Sequence, residues 1–524
     1  MIPVTKKFFI PILLISAIVI FIFFETNPSI NIPDISVDEA NVGCIVLHII
    51  DNKPITWDKG DLIFCGRHLP LISDPRHGAL ECYILLPFIL LCGIKLEALR
   101  IAPVIFGAIT IILVYLFSSR FFNRTIGIIT SLLLATNVFF ISIIKMSATY
   151  GFTIPFFSLI SLLFFIYYHN KKEKIYFYLG MLVLGLGFNI RGYFLYFITA
   201  LFLSGLFFYL RRLSLKTILL GFVCFIMGAI PILYYYYRVD FIHCYVLSDF
   251  PTTSLGFNNS HIFKNFLIRL GQLNISLFGE KYGSKTIQKA QVFLFWASFF
   301  FILYKTFVTK RTKLSKKRIL FILSLFVLTS LSSLITFSVY HIGHLFVLMP
   351  YAIMIIGIAL WEMFSCNNNF IKSAVLIILA ALLTFNISRC IDQYCHLTTE
   401  NKLCKISGNI QDITSWLLKN KFDRAVCFDF DIYGGIRFFS NFKIETLYYR
   451  PYDFGARGKL KPAEFIYNEI KDLKPNTAFV ATPAYFNIIY HNFTFISRKL
   501  GKELIFRKRF PAQGDLRFMV WKVK

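Results

Sequence analysis

The sequence predicts an α-helical polytopic membrane protein with about eleven spans, interfacial helices in its first outer loop, and a small C-terminal α/β domain outside the membrane. The first indication is composition, because 56% of the 524 residues are hydrophobic and the mean hydropathy is +0.64. Ordinary soluble proteins do not carry so many long apolar runs. The second is the placement of the net charge of +27, which is concentrated between the apolar runs. The third is a change after Arg389, where the apolar runs become short.

Apolar length alone defines the candidate spans. They are residues 8–24, 98–118, 125–144, 150–168, 175–190, 192–210, 216–237, 290–308, 318–339, 344–362 and 371–389. The further run Cys82–Ile94 measures only about 20 Å as a helix, short of a hydrocarbon core of roughly 30 Å, which favours a re-entrant or interfacial helix. The N-terminus superficially resembles a signal peptide, but no small-residue cleavage site follows its apolar stretch, so we expect a retained first span.

The basic residues predict the orientation of these spans. With eleven spans, every basic cluster falls on the cytoplasmic side, as the positive-inside rule requires. The clusters are Lys6–Lys7, Arg120–Arg124, Lys171–Lys174, Arg211–Lys216, Lys310–Arg318 and Lys372. We therefore expect a membrane protein with a cytoplasmic N-terminus and an external C-terminus. The same clustering explains the positive charge without nucleic acid as a partner.

The predicted orientation divides the chain into two domains. We expect residues 1–389 to form a transmembrane domain, which includes the first outer loop 25–97, and residues 390–524 to form the extracytoplasmic α/β domain. In the latter, the runs 425–428 and 478–480 predict strands, and 410–418 and 463–473 predict amphipathic helices. Disulfides can form on this side of the membrane, and their pairing stays open. The cysteines concerned are Cys390, Cys395, Cys404 and Cys427.

The carboxylate pair Asp38-Glu39, which follows the first span, is the leading candidate for chemistry. Adjacent side chains on a helix point about 100° apart, so one carboxylate would face the reaction while the other orients a partner or a metal ion. A helix N-cap explains the same residues on local sequence alone, because Ser36, Asp38 and Glu39 all suit a helix start.

A second candidate is the segment Ser73–Tyr83, in which an Asp-Pro turn places Arg76 and His77 just before the short apolar helix. A phosphate at the boundary of water and lipid would suit Arg76. The alternative is a simple membrane-surface anchor, because basic and aromatic residues are common at this depth.

Single cations at the outer ends of spans form a third group. They are Arg100, Lys145 and Arg191, and Tyr150 follows Lys145 closely. These residues break the positive-inside pattern, which favours either recognition of an anion or snorkelling to lipid headgroups.

Metal and nucleotide signals are weak or missing. His341 and His344 flank an outer turn, and His344 is a weak candidate to join Asp38 and Glu39 around a metal ion. The sequence contains no GxxxxGK[ST], no GxGxxG after a strand and no HExxH. ATP hydrolysis, dinucleotide redox chemistry and zinc proteolysis therefore have no support.

Taken together, these residues resemble the GT-C fold glycosyltransferases of the family-39 type, which include protein O-mannosyltransferases and lipid A aminoarabinose transferases. The matching features are the acidic pair, the segment 77–83 before a short apolar helix, and the segments 99–107 and 119–124, which open and close the second span. The resemblance covers residues 8–210 well, the later spans loosely and the C-terminal tail hardly at all.

The resemblance implies transfer of a sugar from a polyprenyl-phosphate donor to an extracytoplasmic acceptor: lipid A or lipopolysaccharide, another surface glycan, or a protein. It makes Asp38 the general base or acceptor-orienting carboxylate. Glu39 would support it or hold a divalent cation where one is used. Contacts to the donor phosphate or headgroup are then expected from Arg76, His77, Arg100, Lys145, Tyr150 and Arg191.

Two other classes of function stay open on the sequence. A transporter or flippase of lipid-linked sugars would use the same basic outer surface, and an inactive relative would bind the donor as an assembly partner. Transporters often contain inverted repeats and helices broken near the midplane, and the sequence pattern reveals neither.

Overall fold

The structure is a computed structural model. It describes residues 4–27, 30–31, 35–55, 59–74, 77–145, 151–208, 213–240, 262–278, 285–309, 312–335, 342–399, 410–427, 430–448, 477–481, 504–511 and 517–523. The chain forms two compact units. The first comprises Met1–Asn27, Pro54–Ile84 and Ala102–Tyr394, and the second comprises Pro28–Lys53, Leu85–Ile101 and Cys395–Lys524. The second unit thus contains two N-terminal segments that the sequence pattern does not associate with the C-terminal region.

Helices make up most of the described chain. The first six are α1 (Val4–Thr26), α2 (Val37–Ile50), α3 (Leu80–Cys92), α4 (Leu96–Phe121), α5 (Arg124–Ala135) and α6 (Val138–Lys145). They are followed by α7 (Ile154–Lys171), α8 (Lys174–Ile190), α9 (Leu195–Phe208), α10 (Leu215–Arg238), α11 (Ile262–Phe278) and α12 (Lys285–Tyr304). The last five are α13 (Lys316–Ser332), α14 (Met349–Phe364), α15 (Asn369–Thr399), α16 (Ile410–Lys419) and α17 (Phe430–Phe439).

Each predicted span coincides in large part with one of these helices or with a helix pair. Five helical segments are long and apolar enough to cross a membrane, and a bent pair would make a sixth. The five are Leu96–Phe121, Leu215–Arg238, Lys289–Thr309, Leu345–Phe364 and Asn369–Gln393. The other predicted spans correspond to shorter or less apolar helices, so the total of eleven stays a prediction. Helix α3 has 13 residues, which agrees with the short helix expected from its apolar run.

The bent pair is α5 and α6, which meet at 58°. At the break, the Asn137 side-chain oxygen accepts a hydrogen bond from the backbone N–H of Phe140 at 2.9 Å. Asn386 donates to the Thr136 hydroxyl at 3.1 Å and accepts from Gln291 at 2.6 Å. Irregular backbone at membrane depth is tolerated where protein groups satisfy it. The apolar run 125–144 predicts one continuous span and does not reveal this break.

A five-stranded mixed sheet lies in the second unit. In sheet order its strands are β6 (Glu445–Tyr448), β5 (Arg424–Cys427), β7 (Thr477–Ala481), β9 (Arg517–Val523) and β8 (Leu504–Pro511). Strand β5 is parallel to β6 and β7, whereas β9 is antiparallel to β7 and β8. The predicted strands at 425–428 and 478–480 match β5 and β7, and the predicted helix at 410–418 matches α16. The predicted helix at 463–473 lies outside the described residues.

Four short strands lie between α2 and α3 in the first unit. They are β1 (Asp61–Phe64), β2 (Arg67–Pro70), β3 (Ile72–Asp74) and β4 (His77–Gly78). Strands β1 and β2 form one antiparallel hairpin, and β3 and β4 form another that leads into α3. Of the four cysteines expected on the outer side, Cys404 lies outside the described residues. Among the described residues, no disulfide links the other three, Cys390, Cys395 and Cys427.

Candidate active site

Helix α2, which carries the acidic pair, begins with a capping box. The hydroxyl of Ser36 accepts a hydrogen bond from the backbone N–H of Glu39 at 3.3 Å. The Glu39 carboxylate in return accepts from the backbone N–H of Ser36 at 2.9 Å. The N-cap interpretation is therefore confirmed for Ser36 and Glu39. Such a cap stabilises a helix by about 1 kcal/mol.

Glu39 also forms a buried ion pair with Arg100. The guanidinium Nε lies 3.0 Å from Glu39 Oε1 and Nη2 lies 3.1 Å from Oε2, a bidentate arrangement in which both side chains are only 1% exposed. The remaining Arg100 nitrogen, Nη1, donates to the carbonyl of Ile30 at 2.8 Å. In the same place, Asn31 donates to Glu97 at 2.6 Å. Arg100 thus joins the start of α4, the start of α2 and the segment that precedes α2.

Asp38 lies beside Glu39 in the first turn of α2, and its side chain is exposed. The capping box and the ion pair fix the neighbouring residue, so the turn that carries Asp38 is rigid. The N-terminal turn of a helix also stabilises a negatively charged side chain. This geometry divides the two carboxylates: Glu39 faces the protein interior, and Asp38 is accessible to a reactant.

Helix α2 packs against α17 of the C-terminal region. A Cβ placed on Gly43 would lie only 2.7 Å from the Phe438 ring, so the two helices are in close contact there. The neighbouring Cys44 is fully buried, and burial raises the pKa of its thiol to about 12, with Arg437 acting in the opposite direction. Cys44 therefore stays protonated at neutral pH, and its surroundings indicate a packing role.

A second buried ion pair, between Glu81 and Arg191, lies in the first unit. Arg191 Nη2 lies 3.4 Å from Glu81 Oε2, and the Thr153 hydroxyl donates to Glu81 Oε1 at 3.0 Å. All three residues are buried. Sequence reasoning selected Arg191 but not Glu81 or Thr153. The signal was available, because an acid at the start of an apolar helix needs a partner, and Arg191 is an isolated cation between two spans.

Lys145, at the end of α6, bonds to the backbone at the end of α1. Its Nζ lies 3.1 Å from the Phe24 carbonyl oxygen and 2.7 Å from that of Asn27. Carbonyl groups at a helix C-terminus lack intrahelical partners and carry partial negative charge, so a lysine satisfies them. This contact fixes α6 to the end of the first helix.

The turn before α3 is closely packed against the end of α8. The side chain of His77 lies 3.7 Å from Asp74, and the Ser73 hydroxyl donates to the Gly78 carbonyl at 3.2 Å. A Cβ on Gly78 would lie 1.8 Å from the Asn189 carbonyl oxygen, a backbone atom that cannot move aside. Only glycine fits this approach, which explains the Gly that follows His77.

The Gly78→Ala variant is therefore expected to be destabilised by about 1–3 kcal/mol, the usual cost of forcing an extra group into a packed site. The measurement is the thermal transition of the detergent-solubilised chain, followed by size-exclusion recovery after heating. Gly271→Ala is the matched control, since no atom lies within 4 Å of a Cβ there and Gly271 lies within α11. A midpoint for Gly78→Ala equal to that of the control would contradict the packing argument.

Only some of the remaining predicted site residues lie within the described part of the chain. Arg76, Tyr150 and His341 lie outside the described residues, and His344 lies in the 3₁₀ helix Ile342–Leu348. Within the described ranges, no group of three or more His, Cys, Asp or Glu residues is arranged to hold a metal ion. Glu39 also directs its oxygens to Arg100 and Ser36. Because the Glu39 oxygens already accept hydrogen bonds from Arg100 and Ser36, the acidic pair does not fit a metal site. The reaction that we propose therefore uses no metal ion.

Comparison with known proteins gives a consistent class of fold. The sequence model of a family described as dolichyl-phosphate-mannose-protein mannosyltransferase matches residues 76–235. A comparison with curated proteins found no match.

Several solved structures are similar over nearly the whole chain, among them the following two. ArnT from Cupriavidus metallidurans bound to undecaprenyl phosphate has a TM-score of 0.59 at 13% identity, covering 98% of this chain and 97% of that one. The Archaeoglobus fulgidus oligosaccharyltransferase AglB, in complex with an inhibitory peptide and a dolichol-phosphate, has a TM-score of 0.58 at 12% identity. That match covers 98% of this chain and 74% of AglB. The chain therefore has a GT-C-type, mannosyltransferase-like fold, and the resemblance found in the sequence is confirmed.

Proposed function

We propose that this protein is a membrane glycosyltransferase that moves a sugar from a polyprenyl-phosphate donor to an extracytoplasmic acceptor. The observation that carries the proposal is the exposed Asp38 on a helix turn that the Glu39–Arg100 ion pair holds in place. The fold supports it, because the similar structures include one with undecaprenyl phosphate and one with dolichol-phosphate.

The proposed reaction needs one accessible carboxylate. An acceptor oxygen attacks the anomeric carbon, the bond from that carbon to the donor phosphate breaks, and the phosphate oxygen leaves with the electron pair. Asp38 takes the acceptor's proton as the new bond develops. The leaving group is already a phosphate, so it needs cations rather than a strong general acid. This requirement differs from the two-carboxylate arrangement of glycoside hydrolases.

The predicted site residues other than the acidic pair divide into two groups in this proposal. Arg100, Lys145 and Arg191 are buried and bond to protein acceptors. We therefore assign Arg100 to holding the turn that carries Asp38, and Lys145 and Arg191 to holding the helix ends to which they bond. Arg76, His77 and Tyr150 stay proposed contacts to the donor phosphate or headgroup. His77 is suited to that role because part of its side chain is accessible at the turn before α3.

The proposal also includes a class of acceptor and a location for the protein. The family description names protein as the acceptor, and the AglB structure contains a peptide. The sequence resemblance adds lipid A, lipopolysaccharide or another surface glycan. The positive-inside charge pattern supports an active site on the outer side of the membrane. The sequence resemblance to lipid A aminoarabinose transferases is the ground for placing the protein in a bacterial inner membrane. Mass spectrometry of lipid A, surface glycans and surface proteins from a deletion strain would identify which one loses a sugar.

A direct assay tests the reaction class. The purified chain, reconstituted in liposomes, is given a polyprenyl-phosphate sugar labelled in the sugar, together with candidate acceptors. We expect protein-dependent appearance of free polyprenyl phosphate and of labelled acceptor. Intact donor that crosses the bilayer without cleavage would instead identify a transporter.

The break between α5 and α6 is the observation that favours a transporter. Discontinuous helices often line the substrate site of a transporter. Here, however, Asn386 of α15 donates to Thr136 at the break, and Gln291 of α12 in turn donates to Asn386, so protein groups hold the break. Transport that survives loss of the Asp38 carboxylate would favour the transporter.

A further inference from the structure

The tip of the hairpin β1–β2 exposes large apolar side chains, although it lies in a loop that is largely polar. Strands β1 and β2 pair from Asp61 with Pro70 to Phe64 with Arg67. Cys65 and Gly66 connect them with φ angles of 48° and 73°, the signs required at both central positions of a type I′ turn. At the end of the hairpin, Ile63 is 66% exposed and Phe64 is 62% exposed. Two large apolar side chains therefore project from a well-defined turn.

The base of this hairpin is attached to the end of α10. The Arg238 guanidinium donates to the Asp61 carbonyl at 2.6 Å. The Lys59 ammonium donates to the Arg238 carbonyl at 3.3 Å. Hydrogen bonds therefore run in both directions between the last residue of α10 and the start of the hairpin. The position of the hairpin is set by where α10 ends.

Helix α10 has the features of a membrane span that ends at a lipid surface. Its segment Leu215–Arg238 is one of the five helices that are long and apolar enough to cross a membrane. Its outward residues are apolar along most of its length, and Tyr234 and Tyr237 are exposed near its C-terminus. Exposed tyrosines followed by an arginine are typical of the interface between hydrocarbon and headgroups. The hairpin is thus held at the depth of the headgroups.

From these contacts we propose that the tip Ile63–Gly66 inserts into the lipid leaflet at the C-terminal end of α10. Ile63 and Phe64 enter the boundary between headgroups and acyl chains, where burial of apolar surface is favourable. Arg67, which pairs with Phe64 beside the tip, is exposed and provides positive charge towards anionic headgroups, and Lys59 adds a positive charge at the base of the hairpin. The hairpin therefore anchors the chain between α2 and α3, which includes the turn before α3, to the membrane surface.

The native Cys65 allows a direct test on the full chain. The purified protein is labelled in detergent with an environment-sensitive fluorophore and reconstituted in liposomes that contain anionic lipid. A Cys65→Ser variant, labelled in parallel, gives the signal of the other cysteines for subtraction. Quenching of the Cys65 signal is then compared for lipids with a nitroxide on the acyl chain and for iodide in the water. A Lys53→Cys,Cys65→Ser variant provides a water-exposed reference, since Lys53 is exposed.

We expect nitroxide lipids to quench the Cys65 signal at least twofold more than the Lys53→Cys reference, and iodide to quench it at least twofold less. Replacing Ile63 and Phe64 by serine should move both values towards the reference. A Cys65 signal that matches the reference in both measurements overturns the proposal. That result is expected of a tip that faces water, including one that binds a protein partner.

Discussion

Replacing Asp38 by asparagine is expected to lower the rate of sugar transfer by about 10²–10⁴-fold, the range that a positioned general base contributes. The amide keeps the size of the side chain but cannot accept the acceptor's proton. Glu39 is not placed to substitute for it, because its carboxylate is buried and bound to Arg100 and Ser36. The measurement is the initial rate of labelled sugar transfer, normalised to the amount of folded protein.

Asp51→Asn is the matched control for this variant. Asp51 is the C-cap residue at the opposite end of α2, where its carboxylate pairs with the exposed Lys53. Surface pairs of this kind contribute about 0–1 kcal/mol, so the control should fold and transfer sugar at the normal rate. Near-normal transfer by Asp38→Asn, at equal expression, would remove Asp38 from the role of base.

The Glu39→Gln variant is expected to lose about 3–5 kcal/mol of stability, the usual cost of leaving one member of a buried ion pair without its partner. The Arg100 guanidinium would stay buried with a neutral amide in place of the carboxylate. The capping box at Ser36 would be weakened at the same time, so the turn that carries Asp38 would loosen. We therefore expect activity to fall together with stability, measured as the rate of thermal inactivation in detergent.

Two further variants separate the ion pair from other effects. In the double variant Glu39→Gln,Arg100→Gln, no uncompensated charge is left, so the loss should be smaller than the sum of the two single losses. Glu445→Gln removes the acid of the Arg424–Glu445 pair, in which Glu445 is 56% exposed, and should cost about 0–1 kcal/mol. If Glu39→Gln costs no more than Glu445→Gln, the ion pair does not organise the site.

Much of the helical framework could be predicted from the sequence, because the length and placement of apolar runs are local properties. The spans, the short helix α3 and the strands β5 and β7 all follow from such runs. The break at Thr136 and Asn137 could not be predicted, since the apolar run continues through it. The group that bonds to Thr136 at the break is Asn386 of α15, which is 250 residues away in the chain and is itself held by Gln291 of α12.

In the candidate site, too, local features could be predicted from the sequence and contacts between distant residues could not. Ser36 and Glu39 form a capping box within four consecutive residues, so local sequence predicts it. The partner of Glu39 is 61 residues away, and that of Glu81 is 110 residues away. A single sequence shows that such isolated charges need partners, but it does not show which acid pairs with which cation. The sequence alone therefore predicts Arg100 and Arg191 as contacts for a phosphate, and the structure adds a buried carboxylate beside each of them.

The most direct test of the central claim is a single-turnover experiment with Asp38→Asn. Enzyme in excess is mixed with a labelled polyprenyl-phosphate sugar and acceptor, and donor binding and conversion are followed separately. If Asp38 is the base, the variant will bind the donor with an affinity within a few fold of the unmodified chain and convert it at least about 100-fold more slowly. Conversion of bound donor at the unmodified rate would contradict this mechanism.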